Sequence, residues 1–224
     1  MAFRIQPQSR VGAPAAAAIP AHSLLGQVLG ITALGLLITA FSAYEFGGIV
    51  GFGVGLLALL GGFALLFAIN ATRANETLSL GLFYLFAFLE GIGLAPTIAH
   101  FVRYLGPDVV TQAALTTGLG LLALAVVVYA TGLDLRRFQG LFFLALIALV
   151  LFGIVSAFTH FVHPTLYAWA TLVIFSGLVL IDFARIRAGG DGYTPVQLAV
   201  QIYLDAINIF LALLEIFSGR RSRN

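Results

Sequence analysis

Seven apolar runs follow one another along the chain, and each is long enough to cross a lipid bilayer as a helix. About 20 residues at a rise of 1.5 Å per residue cross the hydrocarbon core. We place the spans at residues 24–44, 49–69, 78–102, 109–130, 138–159, 165–184 and 196–217. The pattern predicts an all-α integral membrane domain over 24–218, with a flexible N-terminal tail at 1–23 and a short basic tail at 219–224.

The seventh run carries a line of polar residues. Their spacings of four, four, three and seven place them in one narrow sector of a helix that turns about 100° per residue. An aspartate near the middle of a span costs on the order of 2.5–3.5 kcal/mol to insert, so it should face protein or water rather than lipid. Asp205 is therefore the first candidate functional residue. The stripe consists of Gln197, Gln201, Asp205, Asn208 and Glu215.

Two earlier spans carry helix-modifying residues. The third span contains Glu90 and then two glycines and Pro96, so we expect it to be kinked or locally unwound past its midpoint. In the second span, glycines recur every four residues at Gly47, Gly51 and Gly55. Such a strip is typical of helices that approach one another closely.

Composition narrows the class of protein. The chain is 61% hydrophobic and 9% charged, whereas soluble domains contain about 25% charged residues. This composition indicates a polytopic membrane protein, and the small, scattered net charge of +2 argues against nucleic-acid binding. The chain has no cysteine, which excludes disulfides, thiolate metal sites and thiol catalysis. It also has no lysine, which excludes a retinal Schiff base.

The distribution of arginine predicts an orientation. Seven spans place the two termini on opposite sides of the membrane, and positive charge is enriched in cytoplasmic segments. With the N-terminus in the cytoplasm, the outer loops hold Arg103, while the arginine-rich C-terminal tail lies outside and counts against this orientation. The inner segments then hold Arg4, Arg10, Arg73, Arg136, Arg137, Arg185 and Arg187.

Asp182 and Asp205 lie on consecutive antiparallel spans joined by a short loop, so they could meet at a similar depth. Two carboxylates within hydrogen-bond reach cannot both ionise cheaply, and such a pair titrates as a unit. The pair would be a proton-sensitive latch. Two simpler alternatives stay open: Asp182 could pair with Arg185 one turn on, and Asp205 could be a protonated packing residue.

Oxygen-bearing side chains in the spans suggest an ion path. Carboxylate, carbonyl and amide oxygens are the ligands that hard cations such as Ca²⁺ use. A path lined by Asp205, Asn208, Gln201 and Glu90 is chemically sensible for a cation. The same residues could relay protons, so they do not determine whether the path carries a metal cation or a proton.

Enzymatic chemistry finds little support. Three of the four histidines, His100, His160 and His163, would lie on the outer side, but no HExxH motif accompanies them. The chain also has no GxSxG elbow and no glycine-rich phosphate loop. We therefore expect neither an enzyme nor a resident cofactor or metal site.

Several motifs, once placed on the spans, resemble the Bax inhibitor-1 family, also called the transmembrane Bax inhibitor motif family. The most specific is the YLD-x-x-N-x-F sequence at 203–210, which follows FSGLVLID at 175–182. The segment 84–96 and the loop 131–135, which contains Asp134, fit the same family. The resemblance extends from about residue 73 to residue 217.

The resemblance implies a bacterial-type member with seven spans, a central C-terminal helix and a pH-sensitive calcium leak through the inner membrane. By resemblance, Asp182 and Asp205 match the paired aspartates of the pH sensor, and Arg73 matches a basic residue that latches one of them. The chain departs from the family where Phe-Ala-Arg follows Asp182 in place of more polar residues.

In the expected mechanism, protonation lets the two aspartates share a hydrogen bond while Arg73 helps to hold the cytoplasmic end shut. Deprotonation adds charge, so the pair separates or attracts a cation. A proton-coupled transporter would instead carry H⁺ on Asp205 or Glu90, and a non-conducting regulator of membrane protein quality control would use the stripe only for packing. The lipid bilayer, Ca²⁺ and H⁺ are the expected partners, whereas protein partners, ion selectivity and oligomeric state stay open.

Overall fold

The computed structural model describes residues 21–159 and 163–221, and all regular secondary structure in these residues is helical. Seven helices are long and apolar enough to cross a membrane, which confirms the prediction of an all-α integral membrane protein. The helices are α1 (Ala21–Phe46), α2 (Phe52–Ala71), α3 (Glu76–Leu105), α4 (Pro107–Thr131), α5 (Gln139–Thr159), α6 (Pro164–Arg187) and α7 (Pro195–Arg221), with a short 3₁₀ turn, η1 (Arg136–Phe138), before α5.

The two predicted tails are only partly described. Residues 1–20 and 222–224 lie outside the described residues. Helix α1 begins at Ala21, inside the predicted tail 1–23, and α7 continues to Arg221, past the predicted start of the basic tail at 219. The division into an N-terminal tail, a transmembrane domain and a basic tail stays a prediction.

Helix α7 is the centre of the bundle, as the resemblance implies. It packs against α1, α3, α4 and α6, and it has the largest buried share of the seven spans. Helix α2 packs on α3, and α5 packs on α6, so these two helices form the periphery. A polar residue on α7 is consequently placed against protein rather than lipid.

Tyr203 anchors one face of α7 to α1 and α3. Its buried ring meets Phe83 and Phe86 of α3 edge-on, at centroid distances of 5.4 and 5.5 Å. Its hydroxyl lies 2.6 Å from Oγ1 of Thr39 on α1, and that threonine also donates to the carbonyl of Ala87. Because no water competes at this depth, a buried hydroxyl must find its partner within the protein.

Glycines allow α2 and α3 to approach, but not with the predicted four-residue spacing. Because α2 begins at Phe52, Gly47 and Gly51 precede the helix. The contact is made by Gly55, where a Cβ would lie 3.1 Å from the carbonyl oxygen of Gly93 and 3.2 Å from the ring of Pro96. Seven residues along α2, Gly62 provides a second close approach, to Phe86.

Helix α3 remains helical through Pro96, so the local unwinding that we considered is absent. A proline removes one backbone hydrogen bond from a helix, and neighbouring helices make this tolerable in a membrane. Here the proline is buried and its ring occupies the space that Gly55 leaves open.

The contact between α1 and α3 gives a test of this packing. A Cβ at Gly91 would overlap Oγ of Ser42 and the backbone of Thr39, so Gly91→Ala should destabilise the protein by about 1–3 kcal/mol. Gly81 on the same helix faces open space, so Gly81→Ala should be neutral or stabilising by up to about 1 kcal/mol. Thermal unfolding of the purified variants in detergent compares them, and equal midpoints for the two would contradict the packing.

Candidate functional site

The connection between α6 and α7 is a tight turn with an unusual backbone. Gly189, Gly190, Asp191 and Gly192 all have positive φ angles, which L side chains other than asparagine and aspartate rarely adopt. The amide of Gly190 donates to the carbonyl of Arg185, which closes the end of α6. The turn brings α7 back against α6.

The start of α7 is fixed by a capping box. The amide of Gln197 donates to Oγ1 of Thr194 at 3.2 Å, and the amide of Thr194 donates to Oε1 of Gln197 at 3.1 Å. The side-chain amide of Gln197 also donates to Oδ1 of Asn70 at the end of α2. The first residue of the polar stripe is therefore structural, and it sets the register of α7 against the bundle.

Asp182 of α6 and Asp205 of α7 lie close enough for their carboxyl groups to interact with one another. Their exposed fractions are 7% and 5%. Oδ2 of Asp205 is buried and has no hydrogen-bond partner among the described residues. The two predicted aspartates thus form the close pair that the sequence suggested, while their role as a sensor stays a prediction.

Arg185 completes the cluster. Its Nη1 donates to Oδ1 of Asp182 at 2.6 Å and to Oε1 of Gln201 at 2.7 Å, and its Nη2 donates to Oε1 of Gln139 at 2.9 Å. The guanidinium also lies 4.9 Å from the ring centroid of Tyr193. The alternative pairing of Asp182 with Arg185 is therefore present as well, and Asp182 contacts both Arg185 and Asp205.

The cluster of Asp182, Asp205 and Arg185 has no net charge when it binds one proton. An ion pair as buried as that of Asp182 and Arg185 is stable only when both members are charged and otherwise hydrogen-bonded. A second carboxylate beside it would leave a net negative charge in a desolvated site, and a proton on Asp205 removes that charge. A proton bound to this cluster would change its net charge by one unit.

Arg73 is not brought to the pair. It lies on the connection between α2 and α3, with an exposed side chain, at the same end of the bundle as the α6–α7 turn. In the described part of the chain, the ion pairs do not include Arg73. Arg185 holds the cationic position beside Asp182, so the latch role of Arg73 stays a prediction that this conformation does not display.

A cavity of about 720 Å³ lies between α5, α6 and α7, in the half of the bundle away from Arg185. Most of its lining is apolar, and Asn208 and Glu215 of α7 lie in its wall. Asn208 is one turn from Asp205, and Phe175 lies at the same inner end. The predicted stripe is thus one face of α7: Gln201 meets Arg185, Asp205 meets Asp182, and the last two members line the cavity.

Glu90 does not join this face. It lies on α3 towards α2, where a Cβ at Gly62 would be 3.8 Å from Oε2 of Glu90. Tyr203 of α7, which contacts α3 through Phe83 and Phe86, lies on the side of α7 opposite Asp205. Glu90 of α3 is therefore placed apart from the aspartate pair, and one path lined by Asp205, Asn208, Gln201 and Glu90 stays a prediction.

The histidines have ordinary roles where the structure describes them. The ring of His100 stacks at 4.6 Å on Tyr104, and Nδ1 of His163 accepts from the amide of Thr165 to cap α6. His160 lies outside the described residues. In 21–159 and 163–221, histidine, aspartate and glutamate side chains form no group of three or more that could hold a metal ion.

Polar contacts at the arginine-rich end join the α4–α5 and α6–α7 connections. Arg136 pairs with Asp134 at 2.7 Å and with Asp191 at 2.9 Å, and Nε of Arg185 lies 4.0 Å from Asp191. Arg187 donates to the carbonyls of Val128 and Gly132 at the end of α4. These contacts connect the buried cluster to the surface at that end of the bundle.

Two polar residues that contact the site were not predicted from the sequence to be site residues. Gln139, the first residue of α5, contacts Arg185 across the bundle, and Arg185 itself was considered only as a simple partner of Asp182. A possible signal was the arginine three residues after an aspartate at the end of an apolar run. Contact with Gln139 depends on tertiary packing and has no local pattern.

Comparison with known proteins agrees with this geometry. A family model described as an inhibitor of apoptosis-promoting Bax1 matches residues 21–222. The chain is 26% identical to the inner membrane protein YbhL of Escherichia coli over 224 aligned residues, which cover 89% of this chain and 93% of YbhL. It is 30% identical to the uncharacterized protein Cj0236c of Campylobacter jejuni over 162 residues, which cover 71% and 69%. The chain belongs to the Bax inhibitor-1 family of integral membrane proteins.

Proposed function

We propose that this protein is a pH-sensitive cation leak channel, that Ca²⁺ is its permeant ion, and that the pair Asp182–Asp205 is its proton sensor. One observation carries the proposal. The two buried carboxyl groups are in contact on the same face of α7 that, one turn further on, lines the large cavity. Titratable groups of this kind inside a membrane domain are unusual and generally mark ion or proton pathways.

The proposed path follows α7 from one end to the other. A cation enters the cavity beside Glu215, reaches Asn208, passes the aspartate pair and leaves past Gln201 at the arginine-rich end. Carboxylate and amide oxygens along this route are suitable ligands for Ca²⁺, which takes oxygen donors in flexible geometry. In the described conformation the pair and Arg185 fill the route beyond Asn208.

The proton on the pair supplies the pH dependence. With one proton, the carboxyl pair and Arg185 together carry no net charge. When the proton leaves, two carboxylates face one guanidinium, and an uncompensated charge in a buried site is costly. Separation of α6 from α7, or uptake of a cation, relieves that cost. Flux is therefore expected to increase as pH rises through the loss of this proton.

The distribution of arginine and the similarity to YbhL support a location and an orientation for this protein. The bundle end at which α1 begins carries Arg73, Arg136, Arg137 and Arg187, whereas Arg103, Arg220 and Arg221 are at the opposite end. The positive-inside rule favours a cytoplasmic N-terminus, and the relative YbhL is named an inner membrane protein. We place this chain in a bacterial inner membrane, with lipid, Ca²⁺ and H⁺ as its partners, without nucleic acid, resident cofactor or enzymatic activity.

A second candidate is a proton-coupled transporter. The cavity ends at Asn208, one turn of α7 from the pair, while polar contacts close the other half of the bundle, and alternating access uses a similar one-sided arrangement. In that case Asp205 carries a proton while a solute moves. A channel dissipates a Ca²⁺ gradient without a proton gradient, whereas the transporter requires one.

The first test is Ca²⁺ entry into liposomes that contain the purified protein, from about pH 5 to about pH 8. Flux through the parent should increase with pH, by at most about tenfold per pH unit because one proton is released. Asp205→Asn donates a hydrogen bond to Asp182 at every pH and cannot lose a proton, so its flux should stay low and independent of pH.

Asp134→Asn is the matched control. It also removes one carboxylate, but from the exposed loop before α5. The hydrogen bonds from Arg136 lower the pKa of Asp134 to about 2, so this group stays ionised throughout the tested range. Flux through this variant should follow the parent. An Asp205→Asn variant that titrates like the parent would exclude the pair as the sensor.

An imposed proton gradient separates the remaining candidates. Ca²⁺ entry should persist when a protonophore removes the gradient, because the proposed proton only gates the path. Entry that stops on addition of the protonophore would favour the transporter. If the folded protein gives no flux above that of empty liposomes at any pH, the remaining hypothesis is a non-conducting regulator of membrane protein quality control.

A further inference from the structure

Arg185 connects more of the bundle than an ion pair requires. Its guanidinium donates to Asp182 on its own helix, to Gln201 on α7 and to Gln139 on α5. The ring of Tyr193 from the α6–α7 connection lies against it. One side chain therefore joins three helices and a connection at a single point.

The location of Arg185 in the bundle is as important for its proposed role as the number of its contacts. Arg185 has 4% of its surface exposed and lies where the polar face of α7 leaves the bundle, beyond the pair as seen from the cavity. A guanidinium stays protonated at all physiological pH values. A fixed positive charge in a region of low dielectric opposes the approach of another cation.

A role limited to balancing Asp182 would not explain these contacts. Asp182 and Arg185 are one turn apart on the same helix, so their ion pair needs nothing from α5 or α7. Gln139 and Gln201 are neutral and compensate no charge, but both orient the guanidinium across the path. The charged groups that face Arg185 are Asp182, Asp205 and, at 4.0 Å, Asp191 of the connection.

We propose that Arg185 is the gating residue that closes the arginine-rich end of the path, both as a crossbar between α5, α6 and α7 and as a fixed charge that repels cations. Opening then requires the guanidinium to leave Gln201 and Gln139. This inference rests on the proposed leak function, and it assigns the closed state to an arginine of α6 rather than to Arg73 on the α2–α3 connection.

The direct test is Ca²⁺ flux through Arg185→Gln at the pH where the parent conducts least. Removal of the crossbar and its charge should raise the flux by at least about tenfold, which corresponds to about 1.4 kcal/mol in the closed–open equilibrium. Arg137→Gln is the matched control, because it removes a positive charge from an exposed side chain at the same end of the bundle. The control should conduct like the parent, and unchanged flux through folded Arg185→Gln would overturn the proposal.

A double variant separates the crossbar from simple charge balance. Arg185→Gln leaves Asp182 without its cation, and this imbalance could itself impair folding or loosen the bundle. Arg185→Gln combined with Asp182→Asn removes both charges. If Arg185 closes the path, the folded double variant should still leak. A double variant with the same low Ca²⁺ flux as the parent would show that Arg185 only balances the charge of Asp182, and the proposal would be overturned.

A second measurement does not depend on conduction. Because the chain has no cysteine, Asn208→Cys places a single thiol in the cavity wall. With Arg185 present, a membrane-impermeant, positively charged thiol reagent should modify this thiol only from the cavity side. With Arg185→Gln, modification should also occur from the side of the α6–α7 connection. Modification from that side in the presence of Arg185, or none after its removal, would overturn the proposal.

The two measurements also distinguish this inference from the proposed function. If the thiol becomes accessible from both sides in Arg185→Gln and no protein conducts Ca²⁺, then Arg185 closes an aqueous path that is not a calcium leak. If the parent conducts with the expected pH dependence and Arg185→Gln changes neither accessibility nor flux, the leak stands and the gate lies elsewhere.

Discussion

Two carboxyl groups at membrane depth form the constraint on which this structure depends. Neither lipid nor bulk water can stabilise their charge there, so the protein must supply a cation, a proton and hydrogen-bond partners. Arg185 supplies the cation, and the contact between Asp182 and Asp205 provides a place for the proton. The four-residue turn with positive φ angles and the capping box at Thr194 hold α6 and α7 in the register that makes this contact.

The rest of the bundle supports that register. Helix α7 packs against four helices, and its polar face meets α6 at Asp205 and lines the cavity at Asn208 and Glu215. Tyr203 fixes the opposite face to α1 and α3, which prevents rotation of the helix about its axis. The polar face then divides into two parts: the cavity half, which ends at Asn208, and the half closed by Arg185. The proposed opening of the path joins these two halves.

Much of this could be predicted from the sequence because the signals were local. Seven apolar runs gave the spans, and helical spacing placed Asp205 and Gln201 on one face. The contact with Asp182 followed from a short connection between antiparallel helices. What the sequence could not show depends on how helices are rotated against one another: Glu90 lies towards Gly62 of α2. The hydrogen bond between Arg185 and Gln139 could not be predicted either, because nothing in the sequence places the start of α5 beside α6.

The proposed gating requires that the closed pair holds one proton, on Asp205, beside an ionised Asp182. Infrared difference spectroscopy between the parent and Asp205→Asn measures this directly, because a protonated carboxyl group has a carbonyl stretching band that a carboxylate lacks. At a pH where flux is lowest, the parent should show a protonated carboxyl band that is absent from the variant. If the variant instead loses a carboxylate band and no protonated band, Asp205 is ionised in the closed state and the proposed gating is wrong.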